Sequence, residues 1–298
     1  MKLALIGYGQ VGRALAGLLR RKRREFPFVI TGIHTRRHGT AVACGGIADE
    51  PAFGPAAPSV DEFLDAAGGD VMVELTTLEP STGEPAISHI RAAFARRMHA
   101  VTANKGPIAH ACAALRGEAA AAGVGFRFES AVMDGAPVFN LWRNELPGLQ
   151  LTGFTGALNS TSKVVVETME RGGSFEDGLA AARAMGITEA GGAYDVEGWD
   201  SAAKTAALAN ALMDARATPQ QVSTRGIARL TPERVGEMGR QGKTVRLISR
   251  ARRTGSGVSL RVRAEVLERT DILACTQGTS NIILFHTDLM GTFGTVSI

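Results

Sequence analysis

Leu3-Ala4-Leu5-Ile6-Gly7-Tyr8-Gly9-Gln10-Val11-Gly12 is the stretch on which the fold turns. Four apolar residues read as a buried strand. The Gly7-x-Gly9-x-x-Gly12 spacing follows at once, and then Val11, Ala14, Leu15, Leu18 and Leu19 recur at helical spacing over residues 10–23. A strand, a glycine-rich turn and a helix in succession let backbone approach a pyrophosphate. The unpaired N–H groups and positive dipole end of the helix attract it. Gly7, Tyr8, Gly9, Gln10, Val11 and Gly12 are therefore the candidate dinucleotide loop. NAD sites place an acid at the end of the second strand, here residues 28–33, to take the ribose 2′-hydroxyl. His34-Thr35-Arg36-Arg37 stands there without an acid. Arg36 and Arg37 suit a 2′-phosphate by charge-assisted bonds, so NADP is the expected cofactor, with NAD as the alternative.

Working outward, strands at 71–75, 99–103 and 124–128 alternate with helices at 84–97 and 107–122. Ser59-Val60-Asp61-Glu62 is a capping box opening a short helix. This alternation predicts an α/β fold with a Rossmann-type, doubly wound parallel sheet. The pattern changes near residue 145. A strand at 149–155 is followed by helices at 160–171, after Ser174, at 200–213 and after Thr231-Pro232-Glu233. Leu260, Val262, Ala264 and Val266 alternate with Arg261, Arg263 and Glu265, so segments 245–252 and 259–267 form a half-buried antiparallel hairpin around residues 254–257. The expected architecture is a dinucleotide-binding domain over 1–137 and an α+β substrate-binding and dimerisation domain over 138–298.

Composition narrows the class. The 298 residues are 45% hydrophobic and 21% charged, with a formal net charge of +4 and only 5% aromatics. That balance gives no electrostatic footprint for nucleic acid, and the basic run Arg20-Arg21-Lys22-Arg23-Arg24 reads as a solvated helix end. No run of 18 apolar residues crosses a membrane. Cys44, Cys112 and Cys275 are too few and too far apart for a disulfide framework or a zinc site, and no secretory leader precedes the first strand. A cytoplasmic enzyme of small molecules is expected.

Four further segments are Val101-Thr102-Ala103-Asn104-Lys105-Gly106-Pro107, Glu129-Ser130-Ala131-Val132-Met133-Asp134-Gly135-Ala136-Pro137, Gly156-Ala157-Leu158-Asn159-Ser160-Thr161-Ser162, and Gly186-Ile187-Thr188-Glu189 running through Asp195-Val196-Glu197-Gly198-Trp199-Asp200 to Lys204. With the glycine loop they resemble the homoserine dehydrogenase family, in its compact form without a regulatory domain. The resemblance implies interconversion of L-homoserine and L-aspartate 4-semialdehyde with NAD(P), on the route to threonine and methionine. By the same resemblance Lys204 matches a proton-transferring lysine, Asp200 an aspartate holding the substrate, and Lys105 the lysine at the hydride-transfer site. Glu189 and Asp195 match residues orienting the substrate's ammonium, Thr161 a substrate contact, and Thr76 and Gly186 positions near the cofactor. Glu129 with the carbonyls of Val132, Asp134 and Ala136 matches a monovalent-cation site such as one for sodium. Ser160 replaces the family's usual glycine, and Asp134 stands where a smaller residue is usual. The family usually forms a homodimer through the second domain's sheet.

The residues bear this chemistry independently. Alcohol oxidation sends a hydride to nicotinamide and a proton to a base, and a lysine serves as base once its environment lowers its pKa. Asp200 and Lys204, spaced i, i+4, could equally be a surface ion pair, but four acids and one lysine between 189 and 204 suit a substrate with an ammonium group. The alternatives are a dehydrogenase of a related small amino or hydroxy acid, or a catalytically impaired dinucleotide-binding protein. Segments 280–285 and 294–298 read as two final strands. The closing helix usual in the family is therefore expected to be absent, leaving an apolar groove beside the glycine-loop helix.

Overall fold

The computed structural model describes residues 1–47, 50–188 and 192–298. Strand β1 (Lys2–Ile6) runs into the glycine loop and helix α1 (Gln10–Arg21), as the sequence pattern requires. Then come β2 (Val29–Thr35), β3 (Gly39–Val42), α2 (Val60–Ala67), β4 (Val71–Glu74), α3 (Ala86–Ala95), β5 (His99–Thr102), α4 (Lys105–Ala122) and β6 (Phe126–Arg127). They form a sheet in the order β3-β2-β1-β4-β5-β6. Its five strands from β2 to β6 are parallel. Strand order reverses at β1, which places the glycine loop at the switch point where doubly wound sheets bind ligands. Leu3, Leu5, Leu19, Ile33, Val71 and Val73 pack as one buried cluster beneath it. This unit spans Met1–Ala131.

The sequence pattern did not reveal β3, which pairs antiparallel with β2 at the sheet edge. Gly39, at φ +87°, starts it after a turn over residues 36–38. Four residues containing a single buried alternation carry too little periodicity to be read as a strand.

The second unit spans Val132–Ile298. After α5 (Val138–Asn140) come β7 (Leu151–Ala157), α6 (Ser160–Glu170), α7 (Phe175–Ala184), α8 (Ala193–Val196), α9 (Trp199–Met213), β8 (Ser223–Arg225), α10 (Pro232–Arg240), β9 (Lys243–Thr254), β10 (Gly257–Glu268), β11 (Asn281–Thr287) and β12 (Thr292–Ser297). The sheet order is β12-β11-β7-β9-β10-β8. The expected hairpin is β9–β10, paired antiparallel along twelve residues of each strand. Ser174 caps α7 with a full capping box closed by Asp177, whereas Ser59 at α2 accepts the Glu62 N–H without the reciprocal backbone bond. Helix α9 buries Ala202, Ala203, Ala206, Ala207, Leu208 and Ala209. Small side chains let a helix lie close to a sheet, which brings its first two turns, with Asp200 and Lys204, against the end of β7.

Candidate active site

The glycine loop is built for close approach. Gly7 has φ +102°, and a Cβ there would lie 2.5 Å from the Leu75 carbonyl oxygen. A Cβ on Gly12 would lie 2.8 Å from the Gly7 carbonyl oxygen. Both positions therefore need glycine, on steric grounds as well as by motif. Gly9 is the N-cap of helix α1, which has no side-chain cap and no acid in its first turn, so its positive end is left for an anion. Tyr8 packs its ring 6.0 Å from that of Phe53. Gln10 and Val11 are exposed at the helix start. Val11 and Leu18 are the exposed large apolar residues of α1.

Arg36 and Arg37 lie exposed on the β2–β3 turn. That turn is held by Thr35, whose hydroxyl accepts from His38 N–H (2.8 Å) and donates to the Gly39 carbonyl (3.2 Å). The structure thus presents both guanidiniums at the tip of a hairpin instead of at a free strand end. Lys105 opens α4 and is half-buried, and Asn104 Oδ1 caps that helix by accepting from Gly106 N–H (2.9 Å). Thr76 lies just beyond β4, with its N–H donating to Glu74 (2.8 Å).

In the second unit the structure gathers Asn159, Asp195, Asp200 and Lys204. Lys204 Nζ lies 2.9 Å from Asp200 Oδ2 and donates to the Leu158 carbonyl at 2.7 Å. Asn159 Nδ2 donates to Asp195 Oδ1 (2.7 Å) and Asp200 Oδ2 (3.0 Å), while its Oδ1 caps α6 at Ser162 N–H (2.7 Å). Thr188 Oγ1 donates to Asp195 Oδ2 at 2.8 Å. Burial pushes the Asp195 carboxyl upward, as does the charge of Asp200; Asn159, Thr188 and Lys204 oppose this. Asp200 is buried, so the i, i+4 pair is not the solvated surface pair that its spacing allows. Thr161 is buried, donating to the Ile187 carbonyl at 3.2 Å. Gly186 follows α7 at φ +70°, exposed. Glu189 lies outside the described residues. Glu129 is half-buried in the first unit; Val132, Asp134 and Ala136 belong to the second, with Asp134 exposed at φ +54°. Among the described residues no cluster of three or more His, Cys, Asp or Glu side chains could hold a metal ion.

Glu74 and Lys163 are buried charges that the sequence reading does not single out. Glu74 ends the apolar run Val71-Met72-Val73, fully buried. Lys163, 2% exposed on α6, donates to the Ser280 carbonyl. Burial pushes its pKa down to about 8, with Arg246 and Lys204 adding repulsion and Glu167 opposing. The available signal was a charge inside the apolar run 71–75 for Glu74 and a charge at the start of the run Val164-Val165-Val166 for Lys163.

The molecule is similar to known proteins along its whole length. A model of homoserine dehydrogenase matches residues 137–297, and a model of the homoserine dehydrogenase NAD-binding domain matches residues 7–129. An NAD(+)-dependent homoserine dehydrogenase of Pseudomonas canavaninivorans is 36% identical, covering 97% of this chain and 88% of the relative. A crystal structure of a homoserine dehydrogenase from Thiobacillus denitrificans superposes with TM-score 0.82 at 28% identity, over 100% of this chain and 68% of that one. A hyperthermophilic archaeal homoserine dehydrogenase mutant in complex with NADPH shares the fold, with TM-score 0.81 at 23% identity, over 99% of this chain and 91% of that one. The Rossmann unit, its anion-ready loop and these matches define an NAD(P)-dependent oxidoreductase. The chain belongs to the homoserine dehydrogenase family.

Proposed function

We propose that the chain interconverts L-homoserine and L-aspartate 4-semialdehyde with NADP(H), with Lys204 as the proton-transferring group. The observation that carries this is the Asn159–Asp195–Asp200–Lys204 cluster. Two carboxylates, aligned by one amide, suit the substrate's ammonium, and by the family resemblance Glu189, a third acid in the same stretch of sequence, joins them. Asp200 and the Leu158 carbonyl take two directions around Lys204 Nζ, and the remaining one, the lone pair of the neutral amine, is assigned to the substrate hydroxyl. When bound, the cofactor would supply the hydride acceptor for the alcohol carbon. Lys204 Nζ takes the hydroxyl proton, Asp200 fixes the direction of that amine, Thr161 contacts the substrate, and Lys105 lines the hydride-transfer side.

The glycine loop holds the pyrophosphate, with Thr76 and Gly186 near the cofactor, and Arg36 and Arg37 take the 2′-phosphate. The Pseudomonas canavaninivorans relative is NAD(+)-dependent by name, so NAD is the second reading. By the family resemblance Glu129 and the carbonyls of Val132, Asp134 and Ala136 are proposed as oxygen donors, a chemistry that suits a sodium-like ion; the Ala136 carbonyl also accepts from Val138 N–H (2.8 Å). A cytoplasmic homodimer formed through the second unit's sheet completes the proposal. Its supports are three unbridged cysteines and the edge strand β12, whose residues alternate between exposed and half-buried. No helix among the described residues is long and apolar enough to cross a membrane.

The decisive experiment follows NADPH and NADH production from L-homoserine by the purified protein and by Lys204→Met. The proposal expects NADPH formation and a loss of kcat of about 10²-fold or more in the variant, with cofactor affinity retained. Wild-type turnover by Lys204→Met would remove Lys204 from its role.

A further inference from the structure

Glu74 is the last residue of β4 and is fully buried. Its Oε1 accepts from the Thr76 N–H (2.8 Å) and the Thr76 hydroxyl, and its Oε2 accepts from the Thr102 hydroxyl (2.6 Å). Thr102 Oγ1 accepts from Asn104 N–H (2.9 Å), and Asn104 Nδ2 donates to the Thr76 carbonyl (3.3 Å). The four residues close a ring. It ends at the Asn104 cap on Gly106 N–H, one residue past Lys105. On its other side, the Leu75–Thr76 backbone is the surface against which Gly7 has no room for a Cβ.

Holding β4 to β5 does not require this ring. The two strands already pair along their length, Val71 with His99 through Glu74 with Thr102. What the ring adds is the placement of Thr76 and of the first turn of α4. A carboxylate suits this because it only accepts: ionised, it fixes the direction of both threonine hydroxyls at once. A glutamine would turn a donor toward one of them. Burial pushes the Glu74 carboxyl upward, and its three donors oppose that. The buried acid is thus a costly choice whose return is directional.

We infer that Glu74 is a positioning residue for the reaction: through Thr76, Thr102 and Asn104 it sets Lys105 relative to the strand end that abuts the dinucleotide loop. This rests on the reading of Lys105 as the hydride-side lysine. The test compares Glu74→Gln, Thr102→Val, Lys105→Met and the double variant Glu74→Gln/Lys105→Met with the parent. It measures kcat, KM for L-homoserine, cofactor Kd, and amide exchange in the cofactor-free protein.

Glu74→Gln and Thr102→Val should each lower kcat ten-fold or more, while cofactor Kd, touched only through Thr76, changes by a smaller factor than kcat. Asn104 and Gly106 amides should exchange at least ten-fold faster. The double variant should match Lys105→Met within two-fold, since residues acting as a unit are non-additive. Should Glu74→Gln fail to fold, Thr102→Val reads the same split. Parental kcat in the folded ring variants beside an impaired Lys105→Met would overturn the inference alone, as would fully multiplicative losses in the double variant. Parental kcat in Lys105→Met would instead overturn the reading of Lys105, and the inference with it.

Discussion

Asn159→Asp isolates what one amide does for two buried carboxylates. Asp is as good a helix N-cap as Asn, so the cap on Ser162 N–H survives. What changes is the other end of the side chain. The donor now 2.7 Å from Asp195 and 3.0 Å from Asp200 becomes an oxygen that only accepts. Two hydrogen bonds to charged groups are lost, worth about 1.5 kcal/mol each at the low end, so the folded second unit should lose about 3 kcal/mol at pH 7.5, before like-charge repulsion is added. With a urea slope of about 2 kcal/mol/M, that moves the midpoint down by about 1.5 M. Both tryptophans, Trp142 and Trp199, lie in the second unit, so their fluorescence reports this unfolding selectively.

The loss must also depend on pH. Asp195 is already raised by burial and by Asp200, and Asn159 is one of the groups holding it down. Removing that donor raises it further. A carboxyl raised in the folded state favours proton uptake there, so its contribution is fully present below the unfolded value and is lost as pH climbs through the folded value. The gap between variant and parent should therefore narrow as pH falls from 7.5 toward 4, where a shared proton restores a donor. Equal midpoints at pH 7.5, or a gap that stays constant across this range, would refute the reasoning.

Gly7→Ala should weaken NADP(H) binding at least ten-fold by calorimetry, since strain at φ +102° costs about 1–3 kcal/mol before the overlap with Leu75 is relieved. Replacing Arg36 and Arg37 together by Ala should cut any preference for NADP over NAD about ten-fold or more, each charge-assisted bond being worth about 1.5 kcal/mol at the low end; an unchanged ratio of the two Kd values would remove them from the 2′-phosphate site. Burial holds Lys163 down to about 8, so the folded protein sheds a proton that the unfolded chain keeps, and stability should rise as pH climbs from 8 toward 10.5. Urea midpoints at those two pH values should show that rise in the parent and a flatter profile in Lys163→Met.

The parts of the fold that were legible share one property: their cause is local. Leu3 to Gly12 is legible because buried strand, steric glycines and helix stripe are consecutive, and the β9–β10 hairpin because its alternation runs for many residues on one side of the turn. Strand β3 was not, since four residues at a sheet edge are decided by pairing with β2 and not by their own pattern. Strand β8 and helix α8, three and four residues long, fail for the same reason.

The candidate site divides along the same line. Asp200 and Lys204 were legible as a pair because a helix sets their distance. Asn159 was visible as part of a motif, but its task was not, since its two carboxylate partners are 36 and 41 residues away. Glu74 lies 28 residues from Thr102, and Lys163 lies 117 from Ser280. Burying a charge is unfavourable unless it is hydrogen-bonded, so a carboxylate or ammonium in or beside an apolar run already implies unseen partners. Periodicity cannot say which. Only the return of the chain through the sheet order β4-β5, or through the loop leading into β11, supplies them, and that return makes these residues informative about function as well as stability.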